Sequence, residues 1–300
     1  MPAQGDCIGK PFREILCMTE KIRTDKPMLM SAPLEPLTHA MAARAAEHIV
    51  NLRLRHRVLD GLPEAWRPRT MAEGYLIQSF AHRYLIAAGF GAIAGYKIGC
   101  TTAVMREKLG VDHPCAGALF SAELREGRAD LLCRDFHSPH VECEIAVRLG
   151  RNIDTMEMPV PAEAVAEAVE SCMTAIEIID DRYEQPRRLG PAILTADDFY
   201  SAGCVLGEAV SDWRRLDLAA LRGRIVVNGG VRGEGLGADT MGHPFNAVAW
   251  LATNLAARGE QLQSGQVVLT GSIVRSQAVG RGDQVTVAID GLGEVYARYH

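Results

Sequence analysis

The run Val141-Glu142-Cys143-Glu144-Ile145-Ala146-Val147 places two carboxylates among apolar, strand-forming residues. A strand sends alternate side chains to the same face, so Glu142 and Glu144 project together and Cys143 points the other way. Like charges this close repel each other, and a half-buried strand solvates them poorly. A hard divalent cation such as Mg²⁺ or Mn²⁺ removes the conflict, because it takes carboxylate oxygens and normally a further acidic ligand from elsewhere in the chain. Glu177 is the candidate for that third ligand. It stands alone among Ala175, Ile176, Ile178 and Ile179, in a second apolar run that leads into Asp180-Asp181. For either strand alone, the competing reading is a glutamate row on the solvent face of an edge strand. Two glutamate-bearing apolar strands together favour the metal.

Around these strands lies a chain of 300 residues with 48% hydrophobic content. That is enough to bury a full core in one large domain, or in a main domain with a smaller companion. The formal net charge of −5 provides no basic field for nucleic acid or an anionic membrane, and leaves a small metabolite as the partner. Eight cysteines with no Cys-x-x-Cys pair suit a reducing cytoplasm. No run approaches the roughly 18 to 20 apolar residues that span a bilayer, and the N-terminus lacks the apolar core of a signal peptide. The expectation is a soluble, cytoplasmic protein.

Three segments follow from texture. Residues 1–33 mix charges with isolated apolar residues and keep no helical stripe, so a loosely ordered N-terminal extension is expected, with Met28 and Met30 as alternative starts. Residues 34–92 read as a helical unit. One helix runs from Leu37 to about Leu59, before Asp60-Gly61, and another starts at the capping-box pattern Thr70-Met71-Ala72-Glu73. From Gly95-Tyr96-Lys97-Ile98-Gly99 onward, short β-rich runs alternate with turns, giving a β-rich catalytic domain over 93–300. Helices are expected from Thr102 to Leu109, over 162–172, and from Phe245 to Ala257. Arg224 to Asn228 should enter a hairpin at Gly229-Gly230, and the segments 267–272, 285–289 and 295–299 should close the chain as strands. Regular βα alternation is missing, so the fold class is α+β, a mixed β-sandwich or roll with peripheral helices.

Lys97 sits in a tight, partly apolar neighbourhood. It could snorkel outward, or aim its cation at an anionic intermediate. A zinc reading of Cys133, His137, His140 and Cys143 fails on geometry, because Cys143 faces away from the carboxylates and Pro139 splits the set. Gly271-Ser272 lies outside a Gly-x-Ser-x-Gly elbow but can donate hydrogen bonds to a carboxylate. The glycine-rich 228–235 stretch lacks the Gly-Lys-Ser/Thr of a phosphate loop and reads as a hairpin and loop.

Gly95-Tyr96-Lys97-Ile98-Gly99, Glu142-x-Glu144, Ala175-Ile176-Glu177-Ile178-Ile179-Asp180, Thr195-Ala196-Asp197-Asp198, and Leu269-Thr270-Gly271-Ser272 with Gly291-Leu292-Gly293 occur in this order. Together they resemble the 2-keto-4-pentenoate hydratases of the fumarylacetoacetate hydrolase superfamily, over residues 37 to 300. The resemblance implies a β-roll-like fold and a cytoplasmic homo-oligomer. It also implies Mg²⁺ or Mn²⁺ on Glu142, Glu144 and Glu177, Lys97 as a catalytic residue, and Ser272 with Gly271 beside a 2-oxo acid substrate. Cys115 departs from the pattern, standing where such hydratases commonly carry an acid. Asp181 and Asp198 stand where Ser and Asn are common, and Arg187 and Arg188 lie in a stretch that often holds lysine. A 2-oxo acid can chelate the metal, which stabilises the enolate beside the carbonyl. That chemistry serves a hydratase adding water to a 2-hydroxy-2,4-dienoate, a 4-oxalocrotonate-type decarboxylase, or an acylpyruvate hydrolase. A non-catalytic metal- or metabolite-binding protein is the alternative of another class.

Overall fold

Short polar caps and glycine turns set the helix ends. In the computed structural model, which describes residues 36–300, Thr38 caps α1 (His39–Leu54) and Thr70 caps α2 (Met71–Leu85), each hydroxyl accepting an amide of the first turn. The extension expected over residues 1–33 lies outside the described residues. After β1 (Ile93–Gly99), Thr102 caps α3 (Ala103–Leu109), which ends on left-handed Gly110 as its sequence predicts. The chain continues through β2 (Cys115–Phe120), β3 (Leu124–Glu126), β4 (Arg128–Leu131) and β5 (Pro139–Leu149). Next come α4 (Ala162–Ala168), β6 (Val169–Asp180), α5 (Pro186–Leu189), α6 (Pro191–Ala196) and β7 (Ser201–Leu206). The last part holds β8 (Arg222–Val227), β9 (Gly230–Leu236), α7 (Pro244–Ala256), β10 (Val267–Ala278), β11 (Gln284–Ile289) and β12 (Gly293–Tyr299).

Two expected helices are shorter than the sequence suggests. The segment expected to stay helical to 172 leaves the helix after Ala168, because Val169 onward is drawn into an antiparallel ladder with β5. Pairing with a neighbouring strand overrides local helical propensity there. The first helix stops at Leu54, and Leu59 instead forms a bridge with Tyr183.

The strands form a seven-stranded sheet, in the order β2-β1-β10-β5-β6-β7-β3, and a five-stranded sheet, β4-β12-β11-β8-β9. Val141, Cys143, Ile145 and Val147 on one face of β5 enter the same core as Ile225, Val285, Val287 and Val295 of the smaller sheet. Each fully buried Val or Ile contributes roughly 1.5–3 kcal/mol of transfer free energy. That burial fixes the strand's register and obliges Glu142 and Glu144 onto the opposite face. On another side, Ala42, Ala45 and Ile49 of α1 and Ile77, Ala81 and Leu85 of α2 pack with Cys115, Ala118 and Phe120 of β2. Gln78 ties α2 down by donating to the carbonyls of Ala116 and Thr195, at 2.9 and 2.8 Å.

Candidate functional site

In the β5–β6 ladder Glu142 pairs directly with Glu177, and Glu144 pairs with Ala175. One carboxylate oxygen from each of Glu142, Glu144 and Glu177 can be chosen so that all three lie within 4.8 Å of one another. Among the described residues this is the one cluster of three or more His, Cys, Asp or Glu able to hold a metal ion. Glu144 and Glu177 are buried, whereas Glu142 is partly exposed and marks the open side. Glu144 Oε2 accepts the Gly271 amide at 2.7 Å. Glu144 Oε1 and both Glu177 oxygens, all buried, have no hydrogen-bond partner. Buried carboxylate oxygens without hydrogen-bond donors are costly, and an all-oxygen donor set of this kind fits a hard divalent cation.

Lys97 enters from β1. It is only 3% exposed, so it does not snorkel outward. Its Nζ stands 2.8 Å from Glu177 Oε1, an ion pair without the alignment of a hydrogen bond. Burial disfavours the ammonium, but Glu177 and Glu142 outweigh it and hold the Lys97 pKa above its ordinary value. The carboxyls move as crowding requires. Burial and the charge of Glu177 push Glu142 up to about 8, with Lys97 pulling the other way. Burial first, then Glu177 and Glu142, drives Glu144 well above the carboxylate range. A cation in the cluster would relieve all of this repulsion.

Gly271 and Ser272 lie on β10, next to β5, with Ser272 opposite Glu144. Gly271 has φ 108°, and a Cβ there would lie 2.4 Å from Thr101 Cγ2. Its amide is spent on Glu144, while the half-buried Ser272 hydroxyl approaches the carbonyls of Val274 at 2.5 Å and Cys143 at 3.4 Å. Cys143 belongs to the core on the far face of β5, as the strand alternation requires.

Sequence reasoning missed a second layer of charge. His82 of α2 lies 2.7 Å from Asp198 Oδ1, which also accepts the Ala118 amide at 2.9 Å. Arg182 donates to Asp197 Oδ2 at 2.7 Å, and the Tyr183 hydroxyl donates to the same oxygen at 3.0 Å. Burial pushes the Asp198 carboxyl up, yet His82 and Arg53 together with the Ala118 amide bring it below its usual range. The available signal was the Asp197-Asp198 step beside the apolar run 192–196, where acids need buried partners. Their partners are more than 100 residues away for His82 and 15 for Arg182, and spacing cannot reveal such pairs.

Comparison with known proteins places this arrangement in context. The profile of the fumarylacetoacetate (FAA) hydrolase C-terminal family matches residues 120–299. The chain is 31% identical over 264 residues to 2-keto-4-pentenoate hydratase of Paraburkholderia xenovorans (strain LB400), covering 88% of this chain and 96% of that protein. It is 32% identical over 261 residues to 4-oxalocrotonate decarboxylase of Pseudomonas putida, covering 85% and 95%. Among solved structures, 4-oxalocrotonate decarboxylase from Pseudomonas putida G7, complexed with magnesium and adipate, superposes with a TM-score of 0.83. Identity there is 30%, over 89% of this chain and 100% of that one.

Proposed function

The chain belongs to the fumarylacetoacetate hydrolase family, and within it we propose that this protein is a metal-dependent hydro-lyase. Its reaction is the addition of water to a 2-hydroxy-2,4-dienoate of the 2-oxopent-4-enoate type, giving a 4-hydroxy-2-oxo acid. The observation that carries the reading is the convergence of Glu142, Glu144 and Glu177 on one sheet face, with the Lys97 ammonium against Glu177. A single Mg²⁺ or Mn²⁺ held by the three carboxylates supplies Lewis acidity toward the carboxylate and keto oxygens of a 2-oxo acid.

The chain's own residues do the rest. Gly271 fixes the Glu144 carboxylate through its amide, and the bare glycine keeps β10 close to Thr101. Lys97 holds a positive charge beside the site, where it stabilises the negative charge that develops as the dienol loses its hydroxyl proton. Ser272 borders the same space from the neighbouring strand and is assigned to the substrate side, together with Gly271. The partner is thus a small 2-oxo acid. Among the described residues no helix is long and apolar enough to cross a membrane, and a cytoplasmic homo-oligomer is part of the same proposal.

A second reading, decarboxylation of a 4-oxalocrotonate-type acid, draws on the similarity to 4-oxalocrotonate decarboxylase. Loss of CO₂ leaves the same kind of enolate that Lys97 would stabilise. An ultraviolet assay with Mg²⁺ or Mn²⁺, run across 2-hydroxydienoates, oxalocrotonate and acylpyruvates with product identification, separates these readings. Metal-dependent water addition supports the hydratase. Turnover confined to oxalocrotonate with CO₂ release supports the decarboxylase, and no turnover of any substrate points to a binding protein.

A further inference from the structure

Three consecutive non-glycine residues, Asp198, Phe199 and Tyr200, have φ of 54°, 49° and 68°. L-residues avoid this left-handed region, and a run of three persists only where its surroundings enforce it. The enforcement is on all sides. Asp198 is gripped by His82 and the Ala118 amide, with Arg53 3.6 Å from its second oxygen. The Tyr200 amide donates to the Tyr183 hydroxyl at 3.4 Å, and the two tyrosine rings meet edge to face at 4.7 Å.

The result of this backbone path is one placement. The Phe199 ring lies over Lys97, its centroid 5.5 Å from Nζ. Gly99, two residues beyond Lys97, makes room for it, since a Cβ there would stand 2.7 Å from Phe199 Cδ1. Phe199 is itself buried. Lysine has a long flexible stem, and one ion pair to Glu177 fixes its nitrogen along one direction only. An aromatic face supplies a second direction, by attraction to the cation and by exclusion of water.

We propose that the Asp198–Phe199–Tyr200 stretch is a positioning device for Lys97, pressing the Phe199 ring over the ammonium so that Nζ is held toward the carboxylate cluster. Phe199 acts through Lys97 and is a positioning residue. The proposal rests on the reading of Lys97 as the catalytic cation.

The test uses the Mn²⁺-loaded full chain with 2-hydroxypenta-2,4-dienoate, and also the rate at which methyl acetimidate labels Lys97, followed by mass spectrometry. Phe199→Leu keeps apolar bulk but removes the ring, and should lower kcat about tenfold with little change in KM. It should also speed Lys97 labelling without lowering the melting temperature appreciably. Phe199→Tyr retains the aromatic face and should restore both readouts. Gly99→Ala should displace the ring and lower kcat in the parent chain, yet cost nothing further in a Phe199→Ala background, where no atom beyond Cβ remains to meet the added methyl. Should Phe199→Leu fail to fold, labelling of Gly99→Ala decides, and an unchanged rate overturns the proposal. Lys97→Met separates the two levels of the argument. Full turnover in Lys97→Met defeats the functional reading of the lysine. An inactive Lys97→Met beside a Phe199→Leu with parental kcat and labelling defeats the positioning device alone.

Discussion

Lys97 Nζ lies 2.8 Å from Glu177 Oε1 although β10 and β5 both intervene between their strands. Strands stand about 4.8 Å apart, so a flat sheet would separate the two Cα atoms by about 14 Å. Two long side chains reaching toward each other cover most of that gap, and curvature of the sheet shortens it further. The register between β10 and β5 slips between Leu269 and Ser272, again before Val274, and again before Gln277. Bulges of this kind bend and twist a strand, and they are a common way to bring side chains over a site. Gly271 sits at the first of them with φ 108°.

Gly271→Ala should consequently damage both fold and site. The added Cβ would meet Thr101 Cγ2 at 2.4 Å and Oγ1 at 2.6 Å, in a conformation alanine resists. A loss of about 2–3 kcal/mol is expected from urea unfolding. Because the Gly271 amide orients Glu144, Mn²⁺ affinity should also fall about tenfold in calorimetry. Unchanged stability and affinity would show that the bulge is not what shapes the site.

Removing a ligand carboxylate should weaken metal binding, and its effect on the metal-free protein should depend on which carboxylate is removed. Glu144→Gln and Glu177→Gln should each weaken Mg²⁺ or Mn²⁺ binding by about 100-fold or more. In chelator-treated protein Glu144→Gln should raise the melting temperature, since Glu144 stands in repulsion with Glu177 and Glu142 in a buried setting, whereas Glu177→Gln should lower it by leaving the buried Lys97 ammonium without its partner. Calorimetry and thermal melts on the same samples test both halves. Wild-type affinity in either variant would remove that glutamate from the ligand set.

Acid stability should depend on Asp198. Its carboxyl is buried, and partnership with His82, Arg53 and the Ala118 amide leaves its folded pKa below the usual value. A depressed carboxyl pKa contributes stability that is present above the unfolded value near 3.9 and is lost as pH falls through the folded one. Asp198→Asn should thus cost about 2–3 kcal/mol at pH 7. The gap to the parent chain should close as the pH is lowered below about 4. A pH-independent difference in unfolding free energy would contradict this role.

Much of the site was legible because strand alternation is strict. Glu142, Cys143 and Glu144 could be assigned to faces from their order alone, and the isolation of Glu177 among β-branched residues marked the partner strand. The helix ends at Gly110 and the hairpin at Asn228-Gly229 were legible for a similar reason, since each needs a residue that tolerates positive φ. Residues 169–172 were misread as helix because the force that unwinds them is pairing with β5, which no local window contains. The Asp198–His82 pair and the ring of Phe199 over Lys97 were invisible for the same reason. They join segments far apart in the chain, and nothing in the spacing of Lys97, Gly99 and Phe199 foretells that the three meet.

Water addition can be followed atom by atom in the product. In D₂O with Mn²⁺, 2-hydroxypenta-2,4-dienoate should lose its enol proton and gain deuterium at C5, after which D₂O adds across C3 and C4. Proton NMR should then show 4-hydroxy-2-oxopentanoate with one deuterium in the C5 methyl group, formed only when metal is present and at a rate sharply reduced in Lys97→Met. Dienoate left unconsumed by the metal-loaded protein, or formation of the same product at parental rate by Lys97→Met, would contradict the account.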